Sequence, residues 1–240
     1  MNNPVTFAER AVEIEKLYAT HPIIRAANFH NASKAKADQY DRQLAQYGEF
    51  FTSVNEDELD DYLTTGRWTK SKPGLIISIF EGYRNGYEIL LPLVEKYGFV
   101  GWFFEITGFI NADVKDQLPY ALNHNIDMLS REYPDGRYAL TWEELRQIDK
   151  KHVIACHSRS HQKLSSMPPG SLRDEVVGSQ DQFRKHLGHP VRSFVSLTGP
   201  AYGEDPPIDR LIESAGFDFV FSNFSIQRIH AKRAEDRKTA

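Results

Sequence analysis

Residues 153–161 read VIACHSRSH, and this stretch predicts a buried strand with a functional site at its end. The apolar run 153–156 is typical of a strand inside a sheet. His157 and His161 follow it four residues apart, so a helical turn there would place both imidazoles on one face. Histidines at this spacing are common ligands of first-row metals such as zinc. One such pair also arises by chance in a chain with nine histidines, so other residues must decide its role.

Short apolar runs alternate with amphipathic segments on both sides of this stretch. Strands that alternate with helices pair in parallel through right-handed crossovers, which is the α/β pattern. About seven strands in one chain favour a distorted (β/α) barrel over an open sheet, although an open sheet is not excluded. The predicted strands are residues 23–29, 50–54, 75–80, 100–104, 153–156, 191–197 and 217–221.

The intervals between the strands carry the signals of helix ends. Asn55 is a candidate N-cap, and Thr141 with Glu144 forms a capping box. Gly48 and Gly98 are predicted helix stops. The predicted helices are residues 4–19, 35–47, 55–63, 85–97, 113–131, 141–151, 171–187 and 208–215. We therefore expect one domain, 1–240, with N-terminal helices and a loop in 1–71, the core in 72–224 and a charged tail in 230–240.

Composition limits the possible partners and the compartment. Of the 240 residues, 40% are hydrophobic and 26% are charged, which is ordinary for a globular protein. A net charge of −4 without a basic block predicts no nucleic-acid partner, and the apolar runs are too short for a membrane span. Cys156 is the single cysteine, so no internal disulfide can form. Since the first residues lack the apolar core of a signal peptide, we expect a cytoplasmic protein.

Acidic residues follow two of the predicted strands, at the edge of the sheet where functional groups gather in such folds. Glu81 comes directly after the strand 75–80, and Glu105 directly after 100–104. Each can also be read as a solvated or salt-bridged acid at the rim. Two histidines and one carboxylate nevertheless make a metal triad with open positions for water and substrate. Such a metal polarises a carbonyl and activates water.

Three motifs in order resemble the polysaccharide deacetylase family. LIISIFEGYRNGYEILLPLVEKYGFVGWFF (75–104) is similar to the first motif strand and its following elements, where the family usually has T-F-D-D-G. HSRSH (157–161) matches H-[ST]-x-x-H, and GPAYGEDPPIDRLIESAGFDFVFS (199–222) is similar to the third motif, usually R-x-P-Y-G. The resemblance implies a distorted (β/α) barrel, a divalent metal, in most members zinc, and hydrolysis of an N-acyl group. It places the metal on Glu81, His157 and His161.

The chain departs from the family pattern at two positions that carry catalysis. Phe80 stands where the family has its aspartate base, and Gly199 stands where that aspartate's arginine partner belongs. The Leu-x-His motif that supplies the family's general acid is not found either. Tyr202 matches the tyrosine whose backbone N–H holds the oxyanion. Glu105 and His30 are the candidates for a substitute base, although a rim acid and a histidine without a direct role are the alternative readings.

Two functions follow from these observations. The first is a metal-dependent hydrolase that removes an acyl group from an amide nitrogen of an amino sugar or related small substrate, with a reworked base. The second is a non-catalytic relative that keeps the metal and binds a carbohydrate. A purely structural role for His157 and His161 is a third, weaker reading. The expected substrate is a small molecule or an oligosaccharide, and no feature indicates the oligomeric state.

Overall fold

The computed structural model describes residues 23–129 and 132–230, and its core is one sheet of eight strands. The predicted helix 4–19 and the predicted tail lie wholly or almost wholly outside these ranges. The strands are β1 (Ile24–Phe29), β2 (Thr52–Ser53), β3 (Gly74–Phe80), β4 (Gly101–Glu105), β5 (Val153–Cys156), β6 (Ser193–Phe194), β7 (Phe219–Phe221) and β8 (Ile226–Arg228).

The helices lie between the strands along the chain. The predicted N-cap Asn55 and the predicted capping box at Thr141 are both present, and Asn55 forms a capping box with Glu58 as well. The helices are α1 (Ala37–Phe50), α2 (Glu56–Thr65), α3 (Leu91–Lys96, continuing a π-helical turn Gly86–Leu90), α4 (Thr107–Asn111), α5 (Val114–Asn123), α6 (Trp142–Ile148), α7 (Ser179–Leu187, continuing Pro169–Arg173 and a π-helical turn Asp174–Gly178) and α8 (Pro206–Ala215).

The sheet curls into a half-barrel, as predicted. Seven strands follow one another in the order β1-β3-β4-β5-β6-β7-β8, and β2 pairs with the first residues of β3. All neighbours are parallel except β7 and β8, which are antiparallel. In the part of the chain that the structure describes, the path of paired strands ends at β1 and β8. The barrel is therefore open between these two strands.

The two faces of the sheet bury different sets of residues. Side chains alternate along a strand, so β4 places Trp102 and Phe104 on one face and Phe103 on the other. The first face packs within the half-barrel, together with Ile76, Phe80, Ala155, Val195 and Phe221. The second face packs under the helices, where Phe103 joins Ile77, Ile154, Cys156, Leu145 and Phe183. This alternation decides which side chains after Phe80 and Phe104 can reach the barrel interior.

Several sequence boundaries differ from the structure. Helix α1 runs through Gly48, because a glycine weakens a helix without ending it. The predicted helix 113–131 ends at Asn123, and the predicted strand 191–197 shrinks to two residues. Strand β8 was not predicted, because Ile226–Arg228 is polar and half-buried and shows no apolar run. No helix of the described ranges has the length and apolarity to span a bilayer.

An ion cluster lies at the amino ends of β6 and β7. Asp60 of α2 is buried and accepts from Arg192 Nη2 at 2.9 Å and from Arg228 Nε at 2.5 Å. Arg192 Nε also donates to Asp218 at 2.6 Å. We call these four residues the ion cluster. It joins α2 to the starts of β6 and β7 and to the end of β8.

Candidate functional site

A cleft of about 850 Å³ lies at the carboxyl ends of the parallel strands, and it reaches the gap between β1 and β8. Its position agrees with the rule that function gathers where barrel strands end. The ionisable residues among its described lining are Arg25, His30, Glu81, Asp127, His157 and His161. The structure therefore brings the proposed metal triad and His30 together in one cavity.

The two histidines of HSRSH are brought together by a loop and not by the helical turn considered for them. Ser158 and His161 have left-handed φ values of 60° and 52°, so the chain folds back on itself between the two imidazoles. The ring centroids of His157 and His161 lie 4.6 Å apart. The spacing of four thus brings the side chains together, but a different backbone does so.

Glu175 holds this loop from α7. Its buried carboxylate accepts hydrogen bonds from the backbone N–H groups of Arg159 and Ser160 at 3.1 and 2.9 Å. The Ser160 hydroxyl donates to the same carboxylate at 2.6 Å. Three hydrogen bonds to one carboxyl group are a strong restraint on the loop. Sequence reasoning missed Glu175, since nothing in a helix sequence marks an acid that caps a distant loop.

Each histidine contacts a backbone carbonyl through Nδ1, at 3.1 Å in both cases. His157 contacts Val195 O, and His161 contacts His124 O. Since a carbonyl only accepts, Nδ1 carries the proton and Nε2 keeps its lone pair. Burial, together with the neighbouring His161, lowers the pKa of His157 to about 3, so this imidazole is neutral at physiological pH. A neutral imidazole oriented by such a hydrogen bond is the form that binds a metal.

Glu81 completes the group in a strained conformation. Its φ is 77°, which is uncommon for a residue with a side chain. Oε1 lies 3.3 Å from His30 Nδ1 and 3.9 Å from His161 Nε2, whereas the buried Oε2 has no hydrogen-bond partner. Burial raises the pKa of Glu81, but the hydrogen bond from His30 and the charges of His30 and His161 outweigh burial and hold it below its usual range. Glu81 is therefore an ionised carboxylate with one oxygen free to bind.

The donor atoms fit a divalent metal. Two imidazole nitrogens and one carboxylate oxygen are a usual zinc set that leaves positions for water and substrate. The unpartnered Oε2 of Glu81 is a buried polar atom that such a ligand would satisfy. As the side chains stand, neither this trio nor any other His, Cys, Asp or Glu group in residues 23–129 and 132–230 is gathered closely enough to hold an ion. The Glu81 carboxylate, which leans toward His30, would have to turn.

Phe80, at the position where the resemblance implies an aspartate, is part of an aromatic stack. Its ring lies between His30 and Phe104, with centroids 5.1 and 4.8 Å away, and it meets His157 edge-on at 5.3 Å. Gly199 has a φ of 48°, and a Cβ there would lie 3.0 Å from the backbone nitrogen of Asn223. An arginine at this position would thus be strained. The arginine that the resemblance implies at position 199 therefore cannot be introduced without backbone movement.

Glu105 lies outside the cleft lining. It follows Phe104 in β4, so its side chain points to the helix-covered face, beside Gly82 and Ile110. The carboxyl group is fully buried, and neither oxygen has a hydrogen-bond partner. Burial raises the pKa of Glu105 to about 8. The structure does not bring this candidate base together with the triad.

Tyr202 also lies apart from the cleft lining. Its backbone N–H, the expected oxyanion donor, donates to Gln227 Oε1 at 2.9 Å. Its hydroxyl donates to Glu213 on α8. The segment that borders the cleft here is instead residues 195–199. The motif match thus identifies a loop that borders the cleft. It could not show that the Tyr202 N–H is bound by Gln227, because β8 was not predicted.

The loop 124–127 adds contacts that the sequence did not suggest. Asn125 Nδ2 donates to His161 O at 3.5 Å, next to the contact of His124 O with the His161 ring. The carbonyl of Asp127 accepts from Tyr83 Oη at 2.6 Å and from Asn31 Nδ2 at 2.9 Å. This segment was predicted as helix, and a helix would have carried these groups elsewhere.

The family model described as polysaccharide deacetylase matches residues 69–220. No curated protein sequence matches the chain significantly.

Similar solved structures include a de-N-acetylase from Aggregatibacter actinomycetemcomitans, with a TM-score of 0.63 and 15% identity, covering 87% of this chain and 91% of that one. The Streptococcus pyogenes deacetylase PplD in complex with acetate has a TM-score of 0.61 and 15% identity, covering 81% and 80%. IcaB from Ammonifex degensii has a TM-score of 0.58 and 18% identity, covering 84% of each chain. At such identities these likenesses show a shared fold.

Proposed function

The chain belongs to the polysaccharide deacetylase family, and from this premise we propose that it is a metal-dependent hydrolase of N-acyl groups on an amino sugar or related small substrate. We expect the acyl group to be acetyl. Zinc is the metal that we expect, because two neutral imidazoles and a carboxylate are its usual protein ligands.

One observation carries this proposal. The cleft contains two buried histidines whose Nε2 lone pairs are free, beside an ionised carboxylate with an unpartnered oxygen. A buried carboxylate oxygen without a hydrogen-bond partner is costly unless a ligand satisfies it. The strained φ values of Glu81 and His161 point the same way, since backbone strain is concentrated at functional sites.

The residues then have distinct roles. His157, His161 and Glu81 would hold the metal, which when bound supplies Lewis acidity toward the acyl carbonyl oxygen. His30 is exposed enough to meet substrate, and we propose that it delivers a proton to the leaving nitrogen. Phe80 can neither accept nor donate a proton, but its stack fixes the plane of the His30 ring.

The rim of the cleft suits a carbohydrate. Phe224 at the tip of the β7–β8 hairpin borders the cleft and is 89% exposed. A flat apolar ring beside polar groups is a surface on which a sugar face can stack. Ser222, Asn223 and Ser225 of the same hairpin add hydrogen-bonding groups. We therefore favour an oligosaccharide over a small apolar amide.

Tyr202 as oxyanion donor and Glu105 as base stay predictions with weaker support. Gln227 would have to release the Tyr202 N–H, and Glu105 would have to leave its buried place. The cytoplasmic location likewise stays a prediction.

Phe80 favours a second function, a relative that binds metal and carbohydrate without turnover. A missing base removes about 10²–10⁴-fold in rate. The binding reading therefore predicts oligosaccharide binding with no release of acetate.

Metal content and hydrolysis together test the proposal. Protein purified without chelators should contain close to one equivalent of zinc, and it should release acetate from N-acetylglucosamine oligomers. Glu81→Ala should lower both measurements while leaving the circular dichroism spectrum unchanged. Protein that takes up no metal on reconstitution would refute the metal site. Full metal with oligosaccharide binding but no acetate would favour the second function.

A further inference from the structure

We infer that Asp127 is the general base of this site, and this inference rests on the proposed function. The family's base position holds Phe80, so hydrolysis needs a proton acceptor from elsewhere. Among the described residues that line the cleft, Asp127 is the only carboxylate besides Glu81. Since Glu81 is assigned to the metal, Asp127 is the carboxylate left to take a proton.

Asp127 is positioned by the neighbours of the other site residues. Its carbonyl accepts from Asn31, which follows His30, and from Tyr83, two residues after Glu81. Tyr83 is buried, so this anchor is rigid. The same loop contacts His161 through Asn125. Residues 124–127 thus join all three segments that carry the cleft's ionisable groups.

The side chain of Asp127 is free to act. Its backbone makes the anchoring contacts, while the residue itself is exposed on the cleft. An anchored backbone with an exposed carboxylate is the arrangement that a base needs to approach water and substrate.

The proton balance is complete. Asp127 takes one proton from water as the water oxygen bonds to the acyl carbon, and the carbonyl electrons move onto its oxygen. As those electrons return, the C–N bond breaks, and the nitrogen takes a proton from His30. The products are the free acid and the amine. Asp127 then releases its proton to solvent, and His30 takes one up.

The test compares wild type, Asp127→Asn and Asp116→Asn, a matched control on the exposed face of α5. With tetrameric N-acetylglucosamine as substrate, Asp127→Asn should lower kcat by ~10²–10⁴-fold with unchanged KM and zinc content. Asp116→Asn should match wild type. An Asp127→Asn enzyme that keeps more than half of the wild-type kcat would overturn the assignment. If Asp127→Asn does not fold, Asp127→Ser replaces it, since the backbone anchors remain.

Calorimetry separates this inference from the proposed function. A base that acts on water at the acyl carbon is also close to the nitrogen bonded to that carbon, which is an ammonium in the product, so wild type should bind glucosamine tetramer about tenfold more tightly than Asp127→Asn. Binding of the acetylated tetramer should not change. If wild type releases no acetate, the proposed function fails, and the role of Asp127 fails with it. If wild type does release acetate but the two proteins bind glucosamine tetramer equally, the role of Asp127 alone is overturned.

Discussion

The cleft and the ion cluster lie at opposite ends of the same strands and use their charges in opposite ways. In the ion cluster, Asp60 is matched by two arginines, and Arg192 also pairs with Asp218. In the cleft, Glu81 has one oxygen without a partner. All five non-glycine residues with positive φ in the described ranges lie at or next to the cleft: Glu81, Asn125, Ser158, His161 and Thr198.

This difference indicates which end is built for stability and which for function. A buried charge with complete partners fixes the packing of distant segments, whereas an incomplete group stores free energy that a ligand can release. The two ends should therefore respond differently to substitution. Changes in the ion cluster should alter unfolding, and changes in the cleft should alter ligand binding.

The largest effect is expected from Asp60→Asn. Asp60 is buried, and its loss leaves Arg192 and Arg228 without their shared partner. Breaking one side of a buried pair costs about 3–5 kcal/mol, so the free energy of unfolding should fall by that amount. Urea denaturation followed by circular dichroism measures it.

Asp57→Asn is the control for this change. Asp57 lies on the same helix, 3.6 Å from Arg192, but its side chain is 94% exposed. Exposed pairs contribute little, so the change in unfolding free energy should stay within about 0.5 kcal/mol. Equal effects of the two variants would contradict the reading of the ion cluster as a structural anchor.

A smaller effect is expected from Glu175→Gln at the cleft end. The variant weakens three hydrogen bonds that hold the loop between the two histidines. Such supporting residues are worth about 10–100-fold in metal affinity. Competition with a chromogenic chelator measures the affinity for zinc.

Asp174→Asn provides the comparison on the same π-helical turn. Asp174 pairs with Arg159 at the surface, and its side chain is 66% exposed. Its zinc affinity should equal that of wild type. A Glu175→Gln protein with unchanged affinity would show that the loop keeps its shape without the carboxylate.

The smallest effect on turnover is expected from Glu105→Gln, which should stay within about twofold of wild type because the side chain lies outside the cleft. Its effect on stability should depend on pH. Burial raises the pKa of Glu105 from 4.5 to about 8, so folding favours the protonated form, and this stability is lost as pH rises between those values. In thermal unfolding, the melting temperature of Glu105→Gln relative to that of wild type should therefore rise as the pH is raised toward 8.

Asp60 should show the opposite sign. Burial raises its pKa, but hydrogen bonds from Arg228 and Arg192 outweigh burial and lower it below 3.8. A carboxyl group with a depressed pKa contributes stability that is present above its ordinary pKa and lost in acid. Wild type should thus lose stability below about pH 4, and Asp60→Asn should lose less.

For the Glu105→Gln variant, a loss of turnover would contradict the prediction and restore Glu105 as a candidate base.

Much of the fold could be predicted from local patterns. The apolar runs of β3, β4 and β5, the N-cap Asn55 and the capping box at Thr141 depend on neighbouring residues only, and the structure has them where they were predicted. Strand β8 could not be predicted, because its place depends on a hairpin partner and not on its own composition. The length of β6 was overestimated, because a buried apolar segment need not pair with a neighbouring strand along its whole length.

The sequence could predict which residues meet in the cleft but not how they are arranged there. Motif order located Glu81, His157 and His161, and the cleft contains all three. The contacts from Glu175 and Asp127 arise from segments distant in sequence, which no local pattern encodes. Glu105 was a candidate because it lies at a strand end, but that position does not determine which face of the sheet its side chain takes.

The hydrogen bond between Arg228 and Asp60 spans 168 positions of the chain. Joining points so far apart costs conformational entropy that nearby contacts do not, so this bond belongs to the late events of folding. Until β8 has docked, Asp60 has only Arg192 to neutralise it, and α2 is held more loosely. The order of synthesis therefore matters. A ribosome-bound chain that has emerged only as far as β7 already contains the whole HSRSH loop, but it lacks Arg228 and so cannot yet form this bond.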